Sequence, residues 1–294
     1  KAEWVDADAN SSALRLSLKG LQGGHSGVGI NLGRANALVC MATILSRLTE
    51  NGVPVHIADF HGGQAKNAIP AQAEATIVIP TDKESQVQKL LDKYEKDFIT
   101  AFGDIETSYS LAVSCETMPA RVLCPEIGKS LVALLNALPN NINTMSPFVK
   151  TLTESSQNLG LLKMDDAVIT LEAMERSCVA YRAEELLRAS RLVAEAMGFT
   201  YTHEGHVPAW AVNPHSKLVP MACQVYAELT GSEMVVEPVH GGLECGAFFE
   251  KNPQLDMIAI GPSLTDVHSP DEACDIESVQ VTAELVIRIL EKLA

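Results

Sequence analysis

The sequence predicts a mixed chain in two parts: a two-layer α+β region over residues 10–207, built as a tandem αββαβ module, and an α/β segment over residues 208–294. Three observations predict it. The order helix, strand, strand, helix, strand occurs twice, with copies at about 10–115 and 116–207. Short runs rich in branched residues alternate with helical spacing, the signature of an antiparallel sheet with helices on one face. Past Pro208-Ala209-Trp210 the pattern changes to helices flanking a run apolar but for Asp256.

Residues 13–21 carry Leu14, Leu16 and Leu18 in alternation, the period of a half-buried strand. Gly23-Gly24-His25-Ser26-Gly27-Val28-Gly29 breaks it. Over 30–49, Leu32, Ala35, Leu38, Val39, Met41, Ala42, Leu45 and Leu48 keep helical spacing, and Asn51-Gly52 supplies the stop. Strands follow at 53–60 and 73–79, joined by a loop containing Asn67-Ala68-Ile69-Pro70. Thr81-Asp82-Lys83-Glu84 resembles a capping box, opening a helix to about Ala101, and 105–113 is a strand. The second copy reads as helix 124–138, strands 150–164 and 167–177, helix 183–197 and strand 199–203.

In the last part, 216–230 is a helix, 234–239 a strand, 255–260 a strand apolar but for Asp256, and 276–293 an amphipathic helix. About 85 residues with two strands cannot close such a layer, so partner strands are expected outside this sequence. Residues 1–9 then read as a connection from a preceding catalytic segment, and the absence of an initiator Met fits that expectation.

At 294 residues and 47% hydrophobic, the chain can bury a substantial core. A formal charge of −15 excludes nucleic acid and anionic membrane surfaces as default partners, since both require basic patches. Seven scattered cysteines without a C-x-x-C pair favour free thiols in a reducing, cytoplasmic setting. No apolar run is long enough to span a bilayer as a helix.

The residues able to do chemistry lie on loops. His268 follows the apolar run and a Gly-Pro break, with Asp266, Asp271 and Glu272 nearby, a setting that suits a metal-ligating imidazole or a solvated loop histidine. His25 sits among glycines between a strand and a helix, where backbone amides can approach an anion or where a turn can carry an incidental histidine. Arg176 offers a fork for a carboxylate, and the Asn67 amide can bind one of its oxygens or a neighbouring group. The glycines do not form G-x-G-x-x-G, and His203-Glu204-Gly205-His206 lacks the spacing of H-E-x-x-H. Cys245 reads as a packing residue rather than a nucleophile.

Taken together, Gly-Gly-His-Ser-Gly at 23–27, Asn67-Ala68-Ile69-Pro70, Arg176-Ser177, His-Gly-Gly-Leu-Glu-Cys-Gly at 240–246 and His-Ser-Pro-Asp-Glu at 268–272 resemble the aminoacyl-histidine dipeptidases. These are co-catalytic zinc metallopeptidases that cleave Xaa-His and carnosine-like dipeptides. The resemblance covers essentially the whole chain. It implies a zinc-exopeptidase-type α/β catalytic domain, of which only the C-terminal part is present, and a lid domain corresponding to the doubled α+β module. It further implies that His268 ligates zinc and that His25 reaches from the lid to stabilise an oxyanion. Asn67 and Arg176 would hold the substrate carboxylate or nearby atoms, Gly242 would contact substrate through its backbone, and Glu244 is a weaker substrate-side candidate.

Two zinc ions are expected in the complete enzyme, with Co or Mn able to substitute. The family's remaining zinc ligands and its general base precede the lid and have no counterpart here, so the chain is expected to be an incomplete portion, inactive alone. The alternatives are a non-catalytic binding or assembly module with the same fold, and a related amidohydrolase acting on another acyl-amino acid. A dipeptide substrate and the missing N-terminal segment are the expected partners, and a homodimer is compatible with the fold.

Overall fold

The computed structural model describes residues 1–205, 208–237, 243–265 and 272–294. In chain order the elements are β1 (Trp4–Asp6), β2 (Ser11–Lys19), β3 (Gly24–His25), α1 (Ala37–Glu50), β4 (His56–Gly63), β5 (Ala68–Ile69), β6 (Ala73–Pro80), α2 (Glu84–Phe102), β7 (Ser110–Glu116) and β8 (Arg121–Leu123). They continue as α3 (Pro125–Ala137), β9 (Asn141–Met145), β10 (Thr153–Met164), β11 (Ile169–Ser177), α4 (Ala180–Ala196), α5 (Leu218–Thr230), α6 (Glu244–Lys251), β12 (Leu264–Thr265), β13 (Ala273–Cys274) and α7 (Ile276–Leu293).

Seven strands form one antiparallel sheet in the order β11, β10, β4, β6, β2, β7, with β9 also paired to β10. The alternation in β2 sends Leu14, Leu16 and Leu18 into the main core beside Ala75, Ile77 and Ile79 of β6. Leu38, Met41, Leu45 and Leu48 of α1 and Leu131 and Leu135 of α3 join the same core. On the other face of β2, β6 and β7, Ala13 and Val78 pack with Val122, and charged pairs lie along the strands. There Arg15 pairs with Glu116 at 2.8 Å and Lys19 with Glu74 at 2.6 Å.

Residues 10–115 and 116–207 meet edge to edge where β10 pairs with β4, Leu161 opposite Gly63 and Leu162 opposite Gly62. Glycine is required at this seam. Gly63 has φ +75°, and a Cβ there would lie 1.9 Å from the carbonyl oxygen of Gly160.

Several expectations are corrected. The helix read over 30–49 begins at Ala37, because residues 30–32 form a short 3-10 turn, Gly33 turns left-handed at φ 69°, and Asn36 caps the helix through its side chain. The second helix starts at Glu84 after a 3-10 turn, with no side chain capping it. The strand read over 105–113 forms at 110–116 instead, since Glu106 is drawn inward to accept from the backbone N–H of Gln22 (2.7 Å) and Ala35 (2.9 Å). Residues 199–203 form no strand: Gly198 turns the chain at φ 82°, Phe199 packs on the core, and His203 meets Glu175 through its ring at 3.7 Å rather than through a ladder.

In the C-terminal part, α5 and α7 pack through Ala222, Val225, Leu285 and Ile289. Neither 234–237 nor 255–260 is a strand, and Leu255 and Ile260 are exposed at 42% and 37%. Strand backbone must pair its N–H and C=O groups, and the described residues bring no neighbouring strand to this run. Residues 244–251 form α6, so Cys245 lies in a helix.

Candidate functional site

The site is built where three segments meet. The two-residue strand β3 pairs with β5, Gly24 opposite Ile69 and His25 opposite Ala68. The Ser26 N–H donates to the carbonyl of Asn67 at 2.9 Å. The His25 turn and the Asn67 loop are thereby bound to each other. Arg176 comes from β11, near the end of the sheet.

The turn after His25 folds back on its ring, whose Nδ1 accepts from the backbone N–H groups of Gly27 and Val28, both at 3.2 Å. With Nδ1 an acceptor, the proton of the neutral imidazole resides on Nε2. Arg176 Nη2, a donor in every state, stands 3.4 Å from that Nε2. Two N–H donors therefore face the same region, an arrangement that suits an oxygen acceptor carrying negative charge. Arg176 Nε donates to Ser26 Oγ at 3.4 Å, and burial, only partly opposed by neighbouring Glu175, lowers its pKa from the usual guanidinium value.

Sequence reasoning missed the supports of this cluster. Ser26 is buried at 1% exposure beneath Arg176. Arg34 Nη1 donates to the carbonyl of Gly23 at 2.5 Å, and a Cβ on Gly24, whose φ is +118°, would fall 2.1 Å from that same nitrogen. Asn158 reaches the Asn67 loop from below. Its signal was available: Thr153-Glu154-Ser155-Ser156-Gln157-Asn158 is a polar run inside a strand, between Leu152 and Leu159, and all six residues are buried.

The structure brings together His25, Asn67 and Arg176. Glu244 is exposed in the first turn of α6, on the C-terminal part, and is not in that contact set. Gly242 and His268 lie outside the described residues. A cavity of about 290 Å³, lined by Leu152, Cys178, Trp210, Ala222, Leu243 and Met257 among others, lies elsewhere, and none of His25, Asn67 or Arg176 lines it. Its apolar walls suit packing more than polar chemistry.

Residues 16–105 match the M20 peptidase dimerisation domain. Over 285 residues, 97% of this chain, the sequence is 30% identical to the cytosol non-specific dipeptidase of Escherichia coli strain K12, covering 59% of that protein. The crystal structure of aminoacylhistidine dipeptidase from Vibrio alginolyticus matches with a TM-score of 0.91 at 29% identity, over 99% of this chain and 60% of that one. The chain is homologous to these M20 dipeptidases over its whole length. It spans about three fifths of the length of either relative. The mixed α/β fold of this M20 homologue matches that of the Vibrio enzyme.

The zinc expected from the family resemblance was tested against the donors that the structure describes. Among the described residues, no three His, Cys, Asp or Glu side chains come together to hold a metal. The described residues therefore do not by themselves make up a zinc centre.

Proposed function

We propose that this chain supplies the lid, residues 10–207, and the C-terminal part of the catalytic domain, residues 208–294, of a zinc-dependent dipeptidase acting on Xaa-His, carnosine-like dipeptides. Homology to dipeptidases over the whole chain supports the reaction class, and the name of the Vibrio relative supports the Xaa-His preference. The single observation that carries the site reading is the convergence of His25 Nε2–H and Arg176 Nη2 at 3.4 Å. In this reading His25 donates to the oxygen on which charge develops as the peptide carbonyl is attacked, and Arg176 with Asn67 holds the carboxylate end of the dipeptide.

Zinc ligands other than His268, the general base, and the strands that would cover Leu255 and Ile260 belong in this reading to an N-terminal catalytic segment. Gly242 and Glu244 complete the substrate side. A cytoplasmic setting agrees with the name of the Escherichia coli relative, and a homodimer with the description of the matched domain.

The test is hydrolysis by the complete polypeptide of a panel containing Xaa-His dipeptides, other dipeptides and acyl-amino acids. The reading requires Xaa-His turnover that a chelator abolishes. Turnover confined to acyl-amino acids would replace it with an amidohydrolase, and no turnover with no bound zinc would make this fold a binding module.

A further inference from the structure

We infer that Asn158, a residue of β10, is the positioning residue that holds both His25 and Asn67 in register with Arg176. The inference rests on the site reading above and goes beneath it.

Asn158 is 1% exposed, and its Nδ2 donates to the carbonyls of Lys66 at 3.0 Å and Ala68 at 2.7 Å. Those two carbonyls flank Asn67. Ala68 is also the residue that pairs with His25, and the Asn67 carbonyl accepts from Ser26. One side-chain amide therefore fastens the loop from which Asn67 projects and, through it, the short strand that carries His25. On its other side β10 runs against β11 with Asn158 opposite Met174 and Ser156 opposite Arg176. Arg176 thus stands two residues along the same ladder from the anchor. All three site residues are referenced to one strand.

The amide is held in turn. Its Oδ1 lies 3.4 Å from Nδ2 of Asn36, which also donates to the Leu159 carbonyl at 2.9 Å and to Asn140 Oδ1 at 3.2 Å. Asn36 Oδ1 caps α1 through the N–H groups of Leu38 and Val39. Both donors of Asn158 are therefore engaged, and its Oδ1 takes the longest of three contacts to an Asn36 amide that has two N–H groups; a buried polar network rigidifies a structure to the extent that its members are satisfied. Two carbonyls facing one atom require a nitrogen there. An oxygen in its place would repel both.

The neighbouring residue is a built-in control. Gln157 is equally buried, at 3%, but its side chain turns to α4, where Ser190 Oγ donates to its Oε1 at 2.8 Å. If Asn158 served packing alone, the two residues would respond alike to substitution.

The experiment compares Asn158→Asp with Gln157→Leu in the complete polypeptide. It reads hydrogen exchange over residues 22–30, thermal stability, and kcat and KM on an Xaa-His dipeptide. Asn158→Asp is expected to speed exchange of the Ser26 amide and to raise KM, each by about tenfold to a hundredfold, the span equivalent to an unmade buried hydrogen bond. Gln157→Leu is expected to alter stability while leaving both unchanged.

A pair of variants that differ only in stability, with Ser26 exchange and KM at wild-type values, overturns the inference. If the wild type hydrolyses no dipeptide, the activity reading fails, and the exchange comparison still decides the role of Asn158. If Asn158→Asp does not fold, Asn158→Ser, which keeps one donor and adds no charge, carries the same comparison.

Discussion

His25 Nε2 and Arg176 Nη2 stand 3.4 Å apart, and with Nδ1 of His25 accepting from Gly27 and Val28 both nitrogens carry protons. An oxygen acceptor carrying negative charge beside both nitrogens would be favoured by such a pair.

Replacing Arg176 by Lys should therefore not be conservative. The guanidinium uses Nε to hold Ser26 and Nη2 to face the site, and an ammonium cannot do both. In the complete polypeptide Arg176→Lys should raise KM for a dipeptide by about tenfold or more, the scale of a charge-assisted hydrogen bond. A dipeptide amide lacking the C-terminal carboxylate should lose most of that difference. Equal KM values for wild type and variant on the free dipeptide would remove Arg176 from carboxylate binding.

The seam between β4 and β10 should tolerate no side chain at Gly63. Alanine there would combine a left-handed backbone with a Cβ 1.9 Å from the Gly160 carbonyl oxygen. The left-handed conformation alone costs roughly 1–2 kcal/mol, and β10 would also have to shift. Urea unfolding of Gly63→Ala should show a loss of at least about 2 kcal/mol, whereas Gly52→Ala, with φ +79° but open space around it, should lose less. Equal losses would mean that the seam is not tightly packed.

His61 gives the sheet a pH dependence. Its Nδ1 lies 2.7 Å from Asp59 and its Nε2 3.8 Å from Glu74, and the hydrogen bond to Asp59 raises its pKa above the ordinary 6.5, with burial and Arg15 opposing. A histidine whose folded pKa is raised stabilises the protein fully below its unfolded pKa, and this contribution disappears as pH rises through the folded value. Thermal midpoints of wild type and His61→Gln should therefore differ more at about pH 5.5 than at about pH 8.5. A pH-independent difference would show that the ion pairs of His61 contribute nothing.

Much of the fold was legible because period and burial coincide. Leu14, Leu16 and Leu18 alternate into the core, and Leu285 and Ile289 mark the inner face of α7. The boundaries moved where side chains intervened, as with Asn36 capping α1 and Glu106 tying down residues 22 and 35. The apolar run at 255–260 was misread because a strand is defined by its neighbours, and composition says nothing of whether they are at hand.

His25, Asn67 and Arg176 were singled out through motif resemblance, and the structure brings their segments side by side. Asn158 was hard to find because it acts on backbone atoms about 90 residues away, and Arg34 because it acts on the carbonyl of Gly23 and not on a side chain. Only the polar run in β10 hinted at the first of them.

The most direct measurement is kcat for hydrolysis of carnosine by the complete polypeptide, wild type against His25→Ala, with zinc determined on both samples. The account predicts that the variant keeps its zinc and loses about 10²–10³ in kcat, the scale of one oxyanion donor. An unchanged kcat in the zinc-loaded variant would contradict it.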